Sequence, residues 1–132
     1  MEDTFSSQGF EVLGFLSNDF GSQAGTDDQI HMCVDGYNLT FKQFAIAHVR
    51  DVDGTGPEEP QPVWKWLLSQ SNPGPFMTLE PVWNFNKYLI SKDGKLVKHW
   101  SQATYPGDDP ANPNDSFDTN EVVMAIREEL MK

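Results

Sequence analysis

The dipeptide Asp93-Gly94, set between apolar runs at residues 83–90 and 95–100, constrains this chain more than any other feature. Reversing a strand so tightly requires positive φ at the turn, which Asp and Gly tolerate best, so the pattern predicts an antiparallel hairpin. A second strand signal lies at residues 9–16 (GFEVLGFL), apolar except for Glu11. Short and aromatic, the run predicts a strand buried on both faces, as in a parallel sheet. Residues 17–25 (SNDFGSQAG) form a polar loop leaving its carboxyl end.

Thr26 with Gln29 three residues on makes a capping box, and Asp27 and Asp28 favour the positive end of a helix. That helix is expected to reach about Gly36, with Ile30, Cys33 and Tyr37 on one face. A further strand is expected at 44–49 and a turn at 53–57. Pro60 and Pro62 open a helix filled by Val63, Trp64, Trp66, Leu67 and Leu68, which residues 72–75 (NPGP) stop. Residues 104–118, with three prolines and four aspartates, read as a solvated loop. Asp118 with Glu121 then caps a last helix that buries Val122, Val123, Ile126 and Leu130. No repeat or linker divides residues 1–132, so a single α/β domain is expected, a hairpin attached to a partly parallel sheet.

Nine Lys and Arg against twenty Asp and Glu leave a formal charge of −11, which disfavours nucleic acid and anionic membrane surfaces as partners. No apolar run approaches the length of a membrane span. One cysteine, Cys33, excludes an internal disulfide framework and a cysteine zinc site. His31, His48 and His99 lack the spacing of a metal-ligand pair, so no metal is expected. Residues 51–56 (DVDGTG) imitate the start of a calcium loop, but Pro57 follows and Pro62 stands where a bidentate Glu is needed, which leaves a turn. Asn38 and Asn114 match the glycosylation pattern, which matters only in a secreted chain. Cys33 reads either as a redox thiol or as a small buried residue on its helix. Trp83 and Asn84 read either as a core anchor and a turn residue or as hydrogen-bond donors for an anion or a polarised oxygen.

Four segments in order decide between these alternatives for the Trp-Asn pair: residues 13–25 (LGFLSNDFGSQAG), 25–41 (GTDDQIHMCVDGYNLTF), 49–67 (VRDVDGTGPEEPQPVWKWL) and 82–100 (VWNFNKYLISKDGKLVKHW). From about Gly9 onward the chain resembles the glutathione peroxidase family. The resemblance implies a thioredoxin-like mixed sheet flanked by helices and a peroxidase that reduces hydrogen peroxide or organic hydroperoxides in the response to oxidative stress. In that family a cysteine or selenocysteine attacks the O–O bond, and glutathione or thioredoxin restores it as co-substrate, with no other cofactor. The Gln, Trp and Asn that surround the nucleophile correspond to Gln23, Trp83 and Asn84, whose donors would lower its pKa and orient the peroxide. Cys33 stands where thioredoxin-dependent members carry a resolving cysteine, eight residues before Phe41.

The chain departs from the family pattern at Leu16, Ser17 and Asp19, which replace Pro, Cys and Gln, at Ala24, where the usual Glu-Pro is shortened, and at Lys42, which replaces Pro. The peroxidatic residue belongs to a segment that precedes Gly9 in the family, and residues 1–8 contain no cysteine. The same segment supplies the family's central strand, between those matched by residues 12–16 and 85–90. The resemblance therefore predicts an N-terminally truncated form, poor at folding alone, since each unpaired buried backbone group costs about 1–3 kcal/mol against a total stability of about 5–15. It also predicts little activity without that segment. A UGA codon for selenocysteine, read as a stop, would produce such a start and makes the protein a selenoprotein candidate. The alternative is a non-catalytic thioredoxin-fold module that binds partners or senses redox state. The short connection over 69–82 predicts a monomer, and the cytoplasm is the default compartment.

Overall fold

The computed structural model describes residues 1–21, 25–37, 39–50, 59–74, 78–108, 112 and 116–132, without the side chains of Asp27 and Cys33. The expected turn at 53–57, the calcium-like segment, Asn38 and Asn114 lie outside the described residues. Among the described residues, four helices, α1 (Glu2–Phe5), α2 (Asp27–Tyr37), α3 (Pro62–Leu68) and α4 (Glu121–Leu130), accompany four strands, β1 (Leu13–Phe15), β2 (Lys42–Phe44), β3 (Lys87–Ile90) and β4 (Leu96–Trp100). A 3₁₀ turn at Ser6–Gln8 follows α1 and ends at Gly9, whose φ of 90° lets the chain turn back.

Local signals account for most boundaries. The Thr26 N–H donates to Gln29 Oε1 at 2.9 Å, and the Gln29 N–H returns to Thr26 Oγ1 at 3.4 Å, the reciprocal box expected at the start of α2. Pro62 occupies the first turn of α3, where its missing N–H has no helical partner to lose. The hairpin pairs Lys87 with Trp100 and Tyr88 with His99, with a register shift at Leu89/Ile90, and Gly94 turns it at φ 76°.

Tyr88 and Leu96 pack towards one cluster, built on Phe20, Val49, Trp64 and Leu67. Leu89 and Trp100 belong to a second, with Phe5 and with Val122, Val123, Ala125 and Ile126 of α4. The hairpin therefore lies between α3 on one side and α1 with α4 on the other, because alternate strand residues face opposite ways. Edge-on ring contacts tie the first layer together: Trp64 meets Phe15 at 5.9 Å and Tyr88 at 5.3 Å.

β1 pairs in parallel with β2, in register Leu13 with Lys42 through Phe15 with Phe44, and β3 pairs antiparallel with β4. The two pairs are separate sheets; among the described residues no strand lies between β1 and β3. Both edges nevertheless approach Trp64, through Phe15 and Tyr88.

Several expectations are corrected. β1 is three residues long and its Leu13 is exposed, so the 9–16 run is not buried on both faces. Burial of both faces needs layers packed above and below the strand, and Leu13 lies uncovered. β2 begins earlier than position 44 and ends there. Tyr37 is exposed, so it does not share a buried face with Ile30. Val63 and Trp66 are also exposed, which leaves Trp64 and Leu67 as the buried side of α3. The cap of α4 is Asn120 and not Asp118: its Oδ1 accepts from the N–H groups of Val122 and Val123. Asp118 instead pairs with Arg127 on the surface, and Ala125 rather than Leu130 completes the buried face.

Candidate functional site

The loop that leaves β1 is fastened from within. Asn18 Nδ2 donates to the Gly25 carbonyl at 3.3 Å, joining the two ends of the loop. Ser17 is buried, and its Oγ accepts the Asp19 N–H at 3.2 Å. The Asp19 side chain is only 1% exposed. A carboxylate so placed needs partners to offset its lost hydration, and three come from the chain beyond β2. His48 Nδ1 lies 2.5 Å from Asp19 Oδ1, and the N–H groups of Val49 and Arg50 donate to Oδ2 at 2.8 and 3.3 Å. Burial alone would push the Asp19 carboxyl up; the Val49 N–H, His48 and Ser17 together bring it below its ordinary value of 3.8.

Phe20 follows directly and is buried. The Arg50 guanidinium lies 5.7 Å from its ring centroid, and the Trp83 ring lies 6.2 Å away, tilted by 51°. Arg50 Nε is also 3.5 Å from Glu80 Oε1, which bridges to the segment just before Trp83. The two stretches at residues 17–21 and 82–86, far apart in sequence, therefore meet face to face.

Residues 82–86 form a tight turn into β3. Asn86 Nδ2 donates to the Trp83 carbonyl at 2.6 Å, and Asn86 Oδ1 lies 3.2 Å from His99 Nε2. Phe85, between them, has φ 59° although it is not glycine, a left-handed conformation that costs a bulky residue about 1–2 kcal/mol. Its ring is exposed, as is Val82, while Asn84 is half-buried. Trp83 is 49% exposed, against 7% for Trp64 and 3% for Trp100, so it does not anchor the core. Beneath this turn, Tyr88 donates its hydroxyl to the Leu79 carbonyl at 2.6 Å, and burial with the nearby Glu80 charge raises its pKa. His99 stacks on Tyr88 at 4.4 Å, and burial lowers its pKa below 6.5, which favours the neutral ring.

Of the residues singled out from sequence, Trp83 and Asn84 sit side by side at this turn. Gln23 lies outside the described residues, and so does the Cys33 side chain, although its backbone belongs to α2. Among the described residues no three His, Cys, Asp or Glu side chains gather as a metal site would require. Sequence reasoning missed Asp19 and His48, which stand 29 positions apart, and Phe20. No local pattern marks such a pair; the one available signal was Asp19 itself, a departure from the family's Gln.

No protein-family model matches the chain. Individual relatives do. It is 35% identical over 106 residues to a glutathione peroxidase homolog, BsaA, of Halalkalibacterium halodurans, an overlap of 79% of this chain and 62% of that one. It is 38% identical over 104 residues to the glutathione peroxidase-like peroxiredoxin HYR1 of Saccharomyces cerevisiae, covering 77% of this chain and 60% of the relative. With the phospholipid hydroperoxide glutathione peroxidase of Sus scrofa the identity is 32% over 103 residues, 49% of that protein. The crystal structure of Trgpx in its apo form superposes with a TM-score of 0.60 at 25% identity, covering 98% of this chain and 65% of that one. The chain thus spans about three fifths of the length of the first relatives it matches. Over that overlap the chain is similar in sequence to glutathione peroxidases, and it shares the α/β fold of Trgpx.

Proposed function

We propose that the protein reduces hydroperoxides by thiol or selenol chemistry, with Gln23, Trp83 and Asn84 as hydrogen-bond donors around a nucleophile held outside these 132 residues. The observation that carries this is the meeting of Phe20 with Trp83, which brings the loop after β1 against the Trp83-Asn84 turn. Exposure of Trp83 supports it further, since a half-exposed indole can offer its N–H to a ligand and a core indole cannot. The nucleophile attacks the terminal peroxide oxygen, the O–O bond breaks, and the leaving alkoxide takes a proton to become alcohol or water. The enzyme is left as a sulfenic or selenenic acid, two electrons more oxidised. One thiol condenses with that acid and releases water, and a second thiol attacks the resulting mixed disulfide or selenenyl sulfide, leaving a disulfide product and the restored nucleophile.

Donors fixed in place before reaction stabilise the charge that develops on the departing oxygen, and they hold the nucleophile as an anion. Glutathione or thioredoxin serves as reductant, Cys33 being the resolving thiol in the thioredoxin case. A role in defence against oxidative stress, as a monomer of the cytoplasm, accompanies that chemistry. One cysteine in the chain, together with the unmatched two fifths of its relatives' length, supports a nucleophile outside the matched residues.

The test is NADPH-coupled consumption of hydrogen peroxide and tert-butyl hydroperoxide by the product of the gene read in frame from upstream codons. Turnover is expected there and not from the 132-residue chain, with Trp83→Phe and Asn84→Ala each lowering it by about 10²–10³-fold. No turnover from the lengthened chain, or full turnover in both variants, would overturn the proposal and favour a non-catalytic binding or redox-sensing module.

A further inference from the structure

We infer that Asp19 is a positioning residue for the Trp83 indole and acts through Phe20, an inference that rests on the donor role proposed for Trp83. Its carboxylate takes His48 Nδ1 and the Val49 and Arg50 N–H groups at once, so the loop after β1 is held against the segment after β2. Two consequences meet at the next residue. Fixing the Asp19 backbone aims the Phe20 ring, and fixing the Arg50 backbone brings the guanidinium over that same ring. Phe20, buried under Arg50, is then the wall on which Trp83 rests.

Trp83 needs such a wall because it has no core pocket of its own. Half its surface is exposed, Val82 before it and Phe85 after it are exposed as well, and the backbone at Phe85 is left-handed. A donor that must meet a peroxide in one orientation loses much of its effect if its ring swings, since catalysis by preformed dipoles depends on their being fixed beforehand. Arg50 strengthens the arrangement from the other side through Glu80, three residues before Trp83.

The alternative is a loop anchor that contributes stability and leaves Trp83 indifferent. Nuclear magnetic resonance of the full chain separates the two, with the Trp83 indole N–H and its Overhauser contacts to the Phe20 ring as signals. The Trp100 indole, in the other cluster, reports whether the protein is folded. In Asp19→Ala, which leaves the Val49 and Arg50 N–H groups without their acceptor, the Phe20–Trp83 contacts are expected to vanish and the Trp83 resonance to move, with Trp100 unchanged. In His48→Gln, whose amide still donates to Asp19, the contacts are expected to survive. Phe20→Leu keeps an apolar side chain and serves if Asp19→Ala does not fold: Trp83 should shift while the Val49 and Arg50 amides stay protected from exchange. Intact Phe20–Trp83 contacts in folded Asp19→Ala, or an unmoved Trp83 in Phe20→Leu, would overturn the inference. None of these signals depends on turnover. Failure of the positioning role thus differs from failure of the donor role, which full activity of Trp83→Phe would reveal.

Discussion

Replacing Asn120 by alanine removes hydrogen bonds to four of the described residues at one buried point. Its Oδ1 caps α4 through Val122 at 3.0 Å and Val123 at 3.4 Å, while its Nδ2 donates to the carbonyls of Tyr105 at 2.8 Å and Gly107 at 3.1 Å. The side chain thus joins the 104–108 stretch to the helix, and the residue is 1% exposed, so water does not replace the lost partners. Loss of an N-cap costs about 1 kcal/mol and each unreplaced hydrogen bond to a carbonyl about 1 more, so Asn120→Ala is expected to lose about 3 kcal/mol. With a urea slope of about 1.5–3 kcal/mol/M the midpoint falls by about 1–2 M. Asn120→Asp distinguishes the two functions of this side chain. It keeps the cap acceptor and adds favourable charge at the helix start, but it turns an oxygen towards two carbonyls, so it should still lose about 2 kcal/mol. Asp118→Ala removes an exposed pair with Arg127 and should cost about 1 kcal/mol or less. The assay is urea unfolding of the four proteins, followed by far-ultraviolet circular dichroism. An Asn120→Asp protein as stable as the parent, or Asp118→Ala costing more than Asn120→Ala, would refute the reasoning.

His99 favours the neutral form in the folded chain, whereas in the unfolded chain it takes up a proton near 6.5. The unfolded state then binds more protons, so stability should decline as pH falls from 6.5 towards the lower folded value. Urea midpoints across that range should show the decline and His99→Gln should flatten it; an unaltered slope in that variant would count against a buried neutral ring. The carboxyl of Asp19 is held below 3.8, so its contribution is present above that value and is lost as pH falls through the lower folded one. Acid unfolding of Asp19→Asn should be less steep than that of the parent below pH 3.8. Val123, at 0% exposure, should lose about 2–3 kcal/mol on truncation to alanine, for the buried methyls and the cavity they leave, whereas Met124→Ala, on the exposed face, should change little. Phe85→Gly removes an exposed ring from a left-handed position and should raise stability by about 0.5–1 kcal/mol, with thermal unfolding as the measure and a lowered midpoint as the contrary result.

Turns and helix starts were legible because their chemistry is local. Asp93-Gly94 gives the hairpin, Thr26 with Gln29 opens α2, and Pro62 opens α3, each within a few residues of its signal. What depends on distant neighbours was not. Burial of the 9–16 run on both faces needs layers packed over each, and Leu13 stands exposed on one of them. The pattern at Asp118 and Glu121 is a sound capping signal, yet Asn120 prevails because Tyr105 and Gly107 take up the other end of its amide, which no local pattern encodes.

The candidate site divides in the same way. Trp83 and Asn84 were found through the family motif they carry, and the exposure of Trp83 removes the core-anchor alternative that its residue type allows. Asp19 and His48 were unreadable as a pair, being 29 positions apart and linked by a contact that forms only when the loops after β1 and β2 come together. His99 read as isolated for the same reason, although it stacks on Tyr88 across the hairpin.

The most direct measurement is to expose the protein purified from its own cells to equimolar hydroperoxide together with a carbon nucleophile that traps sulfenic and selenenic acids. Mass spectrometry then locates the trapped residue. The account predicts an adduct on a cysteine or selenocysteine outside residues 1–132, with Cys33 unmodified as the first product forms. An adduct on Cys33, or a protein that carries no adduct and consumes no hydroperoxide, would contradict it.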